Sequence, residues 1–432
     1  MAGRLCLHLP LFKIGRLTAN PLFRFNIPFV YEDSKHSLKH SFANMQLSLL
    51  QGLAALAATT GAAAFKPACI AGTEKLAAEA LAGIAELSKN NPGSSCTVET
   101  AAKRQEWSAL SVSDRIAYTD AVRCLMEKPS LLDPVEVPGA KSRYDDFVAI
   151  HINQTFAIHG TANFLSWHRY FTWVYEQALR NECGYEGYQP YWNWGKYAFD
   201  PLGSPLFDGS AGSIGGNGKF APHGCTNGLG NGINCIPAGA GGGCVETGPF
   251  AGMSVNLGPV FSAFDSPDVV LVDSLFKHNP RCLRRDINVW VSSNWTTDHD
   301  SKSLITQSAD ILTFQNAMQG DFPNGVYGVH SGGHYTLGGD PGADFFSSTG
   351  DPAFWLHHAQ VDRTWWIWQN YKSAEERLEA IGGTITISNQ PPSRDGTLDD
   401  IIDMGILADS RPIKELMSTV GLKGGPLCYV YV

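Results

Sequence analysis

The chain has 432 residues, 44% of them hydrophobic, enough apolar side chains for a sizeable core. Its net charge of −9 leaves no basic footprint for nucleic acid or an anionic membrane surface. Aromatic residues make up 11% of the chain, eleven Trp among them, which predicts rigid aromatic packing.

The first 44 residues show no helical or strand period and carry Arg4, Lys13, Arg16 and Arg24 with no early acid. Met45 to Phe65 (MQLSLLQGLAALAATTGAAAF) is a short apolar run ending in small residues, the shape of a secretory signal peptide with an Ala-x-Ala cleavage site. It is too polar and too Ala-rich to span a membrane. We read 1–44 as a leader outside the mature chain, with Met45 the true start; a basic targeting leader is the alternative. Residues 45–64 are the signal peptide and 65–432 the mature, secreted domain. Two sequons, Asn153-Gln-Thr155 and Asn294-Trp-Thr296, agree with secretion.

Ten cysteines occur, none in CxxC pairs or at zinc-finger spacing, which fits disulfides formed in an oxidising compartment. Cleavage near Phe65 removes Cys6 and leaves nine, so one is expected to be free. The pairing expected to tie the ends together is Cys69–Cys428.

Leu and Ala at helical spacing predict a helix over 70–90. A second is expected over Thr100–Glu127, interrupted near Leu110-Ser111, with Ser111 or Ser113 as a cap. Further helices are expected over 144–160, 167–183, 301–319 and 350–381. Residues 200–258 are rich in Gly, Pro, Asn and Ser and read as a long irregular segment stapled by disulfides, whose Gly-rich part, 209–258, is expected near the surface, shaping the site entrance. Thr384–Ile387 and Tyr429–Tyr431 have short β-like patterns. The reading is mostly α with long loops.

Seven of the ten histidines after Met45 fall into two clusters: His151, His159 and His168, then His330, His334, His357 and His358. His223, His278 and His299 read as ordinary surface or structural residues. Neutral imidazole suits copper, zinc, iron and nickel. On a helix, His330 and His334 at i, i+4 share one face, about 6 Å apart. His357 and His358 diverge by about 100° on a helix, so only one suits the same metal. Asp362 lies one turn after His358, where a carboxylate orients a ligating imidazole through its other ring nitrogen. A single His-xxx-His pair is commonly two surface histidines, but two triads in one Trp-rich chain are not explained that way. Di-iron carboxylate sites need Glu-x-x-His motifs, which are missing around these histidines. One zinc site would leave a triad idle. All-nitrogen ligation at two neighbouring metals best suits a copper pair.

The spaced His151, His159 and His168, the run His168-Arg-Tyr-Phe171, Tyr191-Trp-Asn-Trp194, His330-xxx-His334 and Asp351-Pro-x-Phe-Trp-Leu-His-His-x-x-x-Asp-Arg363 form one set with a closing Tyr429-x-Tyr431. This set resembles the tyrosinase and catechol oxidase family of type 3 copper proteins, most of all its short secreted fungal members, over roughly residues 100–431. The resemblance implies a mainly α single domain whose four-helix bundle holds a dicopper centre, with long loops and a few short strands. It implies two copper ions, the first on His151, His159 and His168, the second on His330, His334 and His358, with His357 beside the substrate. The implied activity is oxidation of small phenols by O2. Three departures bear on which phenols. Ala157 stands where many relatives carry the Cys of a thioether, two residues before His159. Ser331 follows His330, where members active on monophenols often carry Asn. Phe345 lies thirteen residues before His358, where plant catechol oxidases carry a bulky aromatic over the copper. These point to an o-diphenol oxidase. The alternatives are a tyrosinase that also hydroxylates monophenols and a haemocyanin-like oxygen carrier. Latent relatives carry a C-terminal shielding domain; the chain ends just after Tyr431, which predicts activity without proteolysis.

Overall fold

A computed structural model describes residues 70–90, 95–228, 235–372 and 374–432, within one compact unit, Lys66–Val432. The leader, the signal segment, Cys6 and Cys69 lie outside the described residues. Among the described residues, nine helices carry the architecture. They are α1 (Ala71–Asn90), α2 (Val112–Glu127), α3 (Arg143–Ile158), α4 (Phe164–Cys183), α5 (Val289–Trp295), α6 (Asp298–Gln307), α7 (Ile311–Gln319), α8 (Val329–Leu337) and α9 (Ala353–Asn370). The described strands are short and form two-stranded pairs.

Every residue of α9 is buried, so this helix is the axis of the molecule. It packs against α1, α4, α6 and α8, and α3 lies against α4. Trp355, Trp365, Trp366 and Trp368 all lie on α9, and Trp355 stacks on Tyr175 of α4 at 3.6 Å between ring centres. Local signals set the ends of the bundle helices. Ser142 and Asp145 form a reciprocal capping box at the start of α3, and Gly184 in the left-handed region closes α4. Asp351 begins α9: its Oδ1 accepts the Ala353 N–H at 2.8 Å, while Arg285 grips both carboxylate oxygens at 2.6 and 2.8 Å.

The structure corrects several expectations. Only the second half of Thr100–Glu127 is helical, with Ser111 as its cap. Ala102–Arg104 instead forms a parallel strand with Tyr429–Tyr431, because the C-terminal tail returns alongside it. The 301–319 region is two helices, broken where Asp310 accepts the Thr313 N–H and starts α7. Thr384–Ile387 forms no strand. A bridge to Asp395 and a short 3-10 turn stand there instead. Cys428 pairs with Cys96, not Cys69; the other bridges are Cys124–Cys183, Cys225–Cys235 and Cys244–Cys282. No described cysteine is free. Two of these bridges staple the Gly-rich segment, as expected. Its carbonyls at Ile214 and Gly215 receive the Arg285 guanidinium at 2.8 and 3.1 Å.

Candidate metal centre

Four helices supply the histidines. His151 lies on α3, and His159 is the residue that ends α3, in extended conformation. His168 sits in α4, His330 and His334 in α8, and His357 and His358 in α9. The structure gathers them into two groups, all of them buried except the partly buried His334. Within the first triad the ring centres lie 5.0–5.8 Å apart. For His330, His334 and His358 the spread is 4.9–5.3 Å. The triads adjoin: His168 and His358 are 4.6 Å apart, and His159 and His330 6.4 Å.

Backbone carbonyls orient the first triad. The Nδ1 of His151 pairs with the Phe346 carbonyl at 2.6 Å, that of His159 with Thr155 at 2.9 Å, and that of His168 with Phe164 at 2.7 Å. A carbonyl only accepts, so each Nδ1 carries the proton and each Nε2 is left with a lone pair. The Thr155 carbonyl belongs to the last turn of α3, where acceptors lack helical partners, and the histidine that ends the helix fills one. The Nε2 atoms of His151 and His168 are buried with no hydrogen-bond partner, as are both ring nitrogens of His330. The Nε2 atoms of His334 and His358 approach to 3.2 Å. Buried nitrogens without partners, converging in threes, are what a metal ion satisfies.

Burial pushes all six imidazoles toward the neutral form, and the crowding of one ring on another adds to this at His151, His168, His330, His334 and His358. His334 is lowered to about 3 and His159 to about 4. At neutral pH all are uncharged, the state in which imidazole binds metal. Two neutral three-nitrogen sets side by side fit a copper pair.

Residues 141–371, just over half of the chain, match the family model described as the common central domain of tyrosinase. The chain belongs to the tyrosinase family. It is 44% identical over 334 residues to tyrosinase P of Aspergillus terreus, covering 76% of this chain and 91% of that protein. It is 38% identical over 349 residues to the N-acetyl-6-hydroxytryptophan oxidase of Emericella nidulans, covering 78% and 93%. The polyphenol oxidase of Thermothelomyces thermophila, solved as a mutant, shares 40% identity, with a TM-score of 0.79 over 86% of this chain and all of that one. Members of this family bind two copper ions and oxidise phenols with O2, and the two triads fit that pair. When bound, the copper pair accepts electrons from the phenol and passes them to O2.

Two site expectations need correction. Asp362 does not orient His358, whose Nδ1 has no partner. Its Oδ1 accepts from Arg169 at 2.6 Å, and its Oδ2 accepts from the hydroxyls of Tyr429 and Tyr431 at 2.5 and 2.6 Å. Residue i+4 shares a helix face with residue i, but here the tail and α4 reach that carboxylate first. His357 does not line the cavity at the site. Its Nδ1 accepts from the Trp194 indole at 3.1 Å, so in the neutral ring Nε2 carries the proton and offers no lone pair. Its ring packs against Gly333, where a Cβ would fall 2.2 Å from Cε1. His357 is a buried spacer between α8 and Trp194.

Ser331 and Phe345 do line the cavity, which has a volume of about 360 Å³ and opens onto His159, His330 and His334. The Phe345 ring lies 4.7 Å from that of His159, and the Ser331 hydroxyl donates to the Gln319 carbonyl at 2.6 Å. Among the described residues, none from the Gly-rich 209–258 lines it; the nearest contribution is Phe261. Phe354 and Phe164, missed from the sequence, each touch both triads. Phe354 packs on His151 and His358 at 5.5 and 4.1 Å, Phe164 on His168 and His330 at 5.2 and 4.9 Å. Their helical offsets, Phe164 four before His168 and Phe354 four before His358, were the available signal.

Proposed function

We propose that the chain is a secreted copper oxidoreductase that oxidises o-diphenols to o-quinones. Each diphenol gives up two electrons and two protons, and O2 is reduced to water by two diphenols. The observation that carries the diphenol reading is the state of the polar groups beside the second triad. Hydroxylating a monophenol calls for a group that orients a water to take the phenol proton. The Ser331 hydroxyl spends its proton on the Gln319 carbonyl. The one carboxylate lining the cavity among the described residues, Asp344, has both oxygens filled by backbone N–H groups and the Ser347 hydroxyl. Phe345 over His159 narrows the approach further. A catechol, more acidic and more easily oxidised than a monophenol, needs less of such help.

Oxygen uptake by the copper-loaded mature chain tests this, first with catechol and then with phenol. Uptake with catechol alone is the expected result. Uptake with both, after a lag on phenol, makes the chain a tyrosinase in activity and defeats the argument from Ser331. No uptake with two coppers bound leaves the oxygen-carrier reading. Secretion rests on the 45–64 segment and the four described disulfides, and N-terminal sequencing of the mature chain checks it: a start near Phe65 is expected, and retention of Arg4 refutes it.

A further inference from the structure

The cavity mouth is largely apolar. Phe156 of α3 and Phe261 stand at its rim, 59% and 54% exposed, with Phe322 and Ile387 beside them. Large aromatic side chains held in water at a cavity mouth are surface that a ligand covers. The rim is also firmly built. Asp344 Oδ2 accepts the N–H groups of Val260 and Phe261 at 2.8 and 2.7 Å, and the Phe345 N–H donates to the Phe261 carbonyl at 3.1 Å. Phe156 packs edge-on against Phe346 at 5.2 Å.

The charge inventory is equally one-sided. No Lys, Arg or Glu lines the cavity among the described residues. Asp344 is buried and its oxygens are occupied, Oδ1 by Phe346 N, Ser347 N and Ser347 Oγ, so it has no free lone pair for a ligand ammonium. An amino-acid catechol would bring a carboxylate without a cation and an ammonium without an anion. The volume of about 360 Å³ lies at the low end of the range for drug-sized ligands.

We propose that this mouth selects uncharged, extended aromatic diphenols, two fused or linked rings wide, over catechols that carry amino-acid charges. The diphenol chemistry rests on the function proposed above; the selection is a binding property of the rim. Covering about 60 Å² of phenylalanine face is worth about tenfold in affinity, and the charged ligand makes no compensating ion pair.

The test is calorimetric titration of the full chain loaded with copper(I) and kept free of oxygen, where no turnover occurs. The probes are naphthalene-2,3-diol and L-3,4-dihydroxyphenylalanine. The fused diol is expected to bind about tenfold more tightly. Phe156→Ser and Phe261→Ser should each narrow that ratio about threefold or more by weakening the fused diol alone. Phe156→Arg, on an exposed helix face, should tighten binding of 3,4-dihydroxyphenylpropionic acid, a carboxylate catechol, relative to the fused diol. Equal wild-type affinities, or rim variants that weaken both probes alike, overturn the proposal. A binding preference without oxygen uptake on either probe in air would leave the selection standing and defeat the diphenol oxidase reading. Uptake on both with no preference would do the reverse.

Discussion

Asp362→Asn removes a buried negative charge while keeping the side chain's size. Asp362 is 3% exposed and lies between two guanidiniums: Arg169 at 2.6 Å and Arg104 at 3.5 Å. Glu176, 3.0 Å from Arg104, supplies the other negative charge of this cluster. The Tyr429 and Tyr431 hydroxyls are held far above their ordinary range, by burial first and then by Asp362, so both donate to it. An Asn directs its oxygen to Arg169 and its NH2 to the tyrosines, which then rotate to accept. The charge is still lost, leaving two buried cations against one anion. Breaking a buried pair in this way costs about 3–5 kcal/mol. At about 2–4 °C per kcal/mol, the copper-free chain should melt about 10 °C lower. Calorimetry on the copper-free variant measures this, and copper titration measures the second triad. Unchanged melting together with copper binding about 10–100-fold weaker would show that Asp362 acts through His358 after all. Tyr429→Phe removes one charge-assisted hydrogen bond, the one to Asp362, and should cost about 1.5–3 kcal/mol with copper affinity unchanged.

His357→Gln keeps an acceptor for the Trp194 indole and should retain two coppers per chain by metal analysis, whereas His358→Gln should retain one; loss of the second copper from His357→Gln would make His357 a ligand. Cys96→Ser opens a bridge that spans 332 residues and carries the tail strand, which should cost up to about 5 kcal/mol and lower the melting temperature. An unchanged melting temperature would mean that the Tyr429–Tyr431 strand and the Asp362 cluster anchor the tail unaided. Acid should destabilise the copper-free chain over a set window. His159 and His334 are lowered to about 4 and about 3, so below pH ~6.5 the unfolded chain binds more protons than the folded one. Stability should therefore fall steadily as pH drops from ~6.5 toward 4 and level off only below 3. A flat melting profile across that range would mean that these imidazoles are solvated in the copper-free chain.

The two histidine groups were legible because most of their members lie close together in the sequence. The i, i+4 spacing of His330 and His334 survives any tertiary arrangement that keeps the helix, and α8 spans both. Asp362 and His357 were misread because spacing fixes a helix face but not what packs on it. Which neighbour reaches a carboxylate first was decided by Tyr429 and Tyr431, some seventy residues downstream, and the His357 acceptor was claimed by Trp194, 163 residues upstream. The strand Ala102–Arg104 looked helical for the same reason, since its partner is the far end of the chain.

By itself the sequence determined the chemistry: six imidazoles in two spaced sets, the aromatic helices that carry them, and the cysteines that staple the loops. Helix periodicity and imidazole basicity are properties of short segments, so no distant contact is needed to read them. Only the tertiary structure decided which nitrogen of His151 stays free, because its Nδ1 meets the Phe346 carbonyl 195 residues away, whereas His159 and His168 are held by carbonyls four residues before them. It also decided the cavity's character. Phe156, Phe261, Phe322 and Ile387 come from four separate stretches of chain, and their shared apolar rim exists only once those stretches meet.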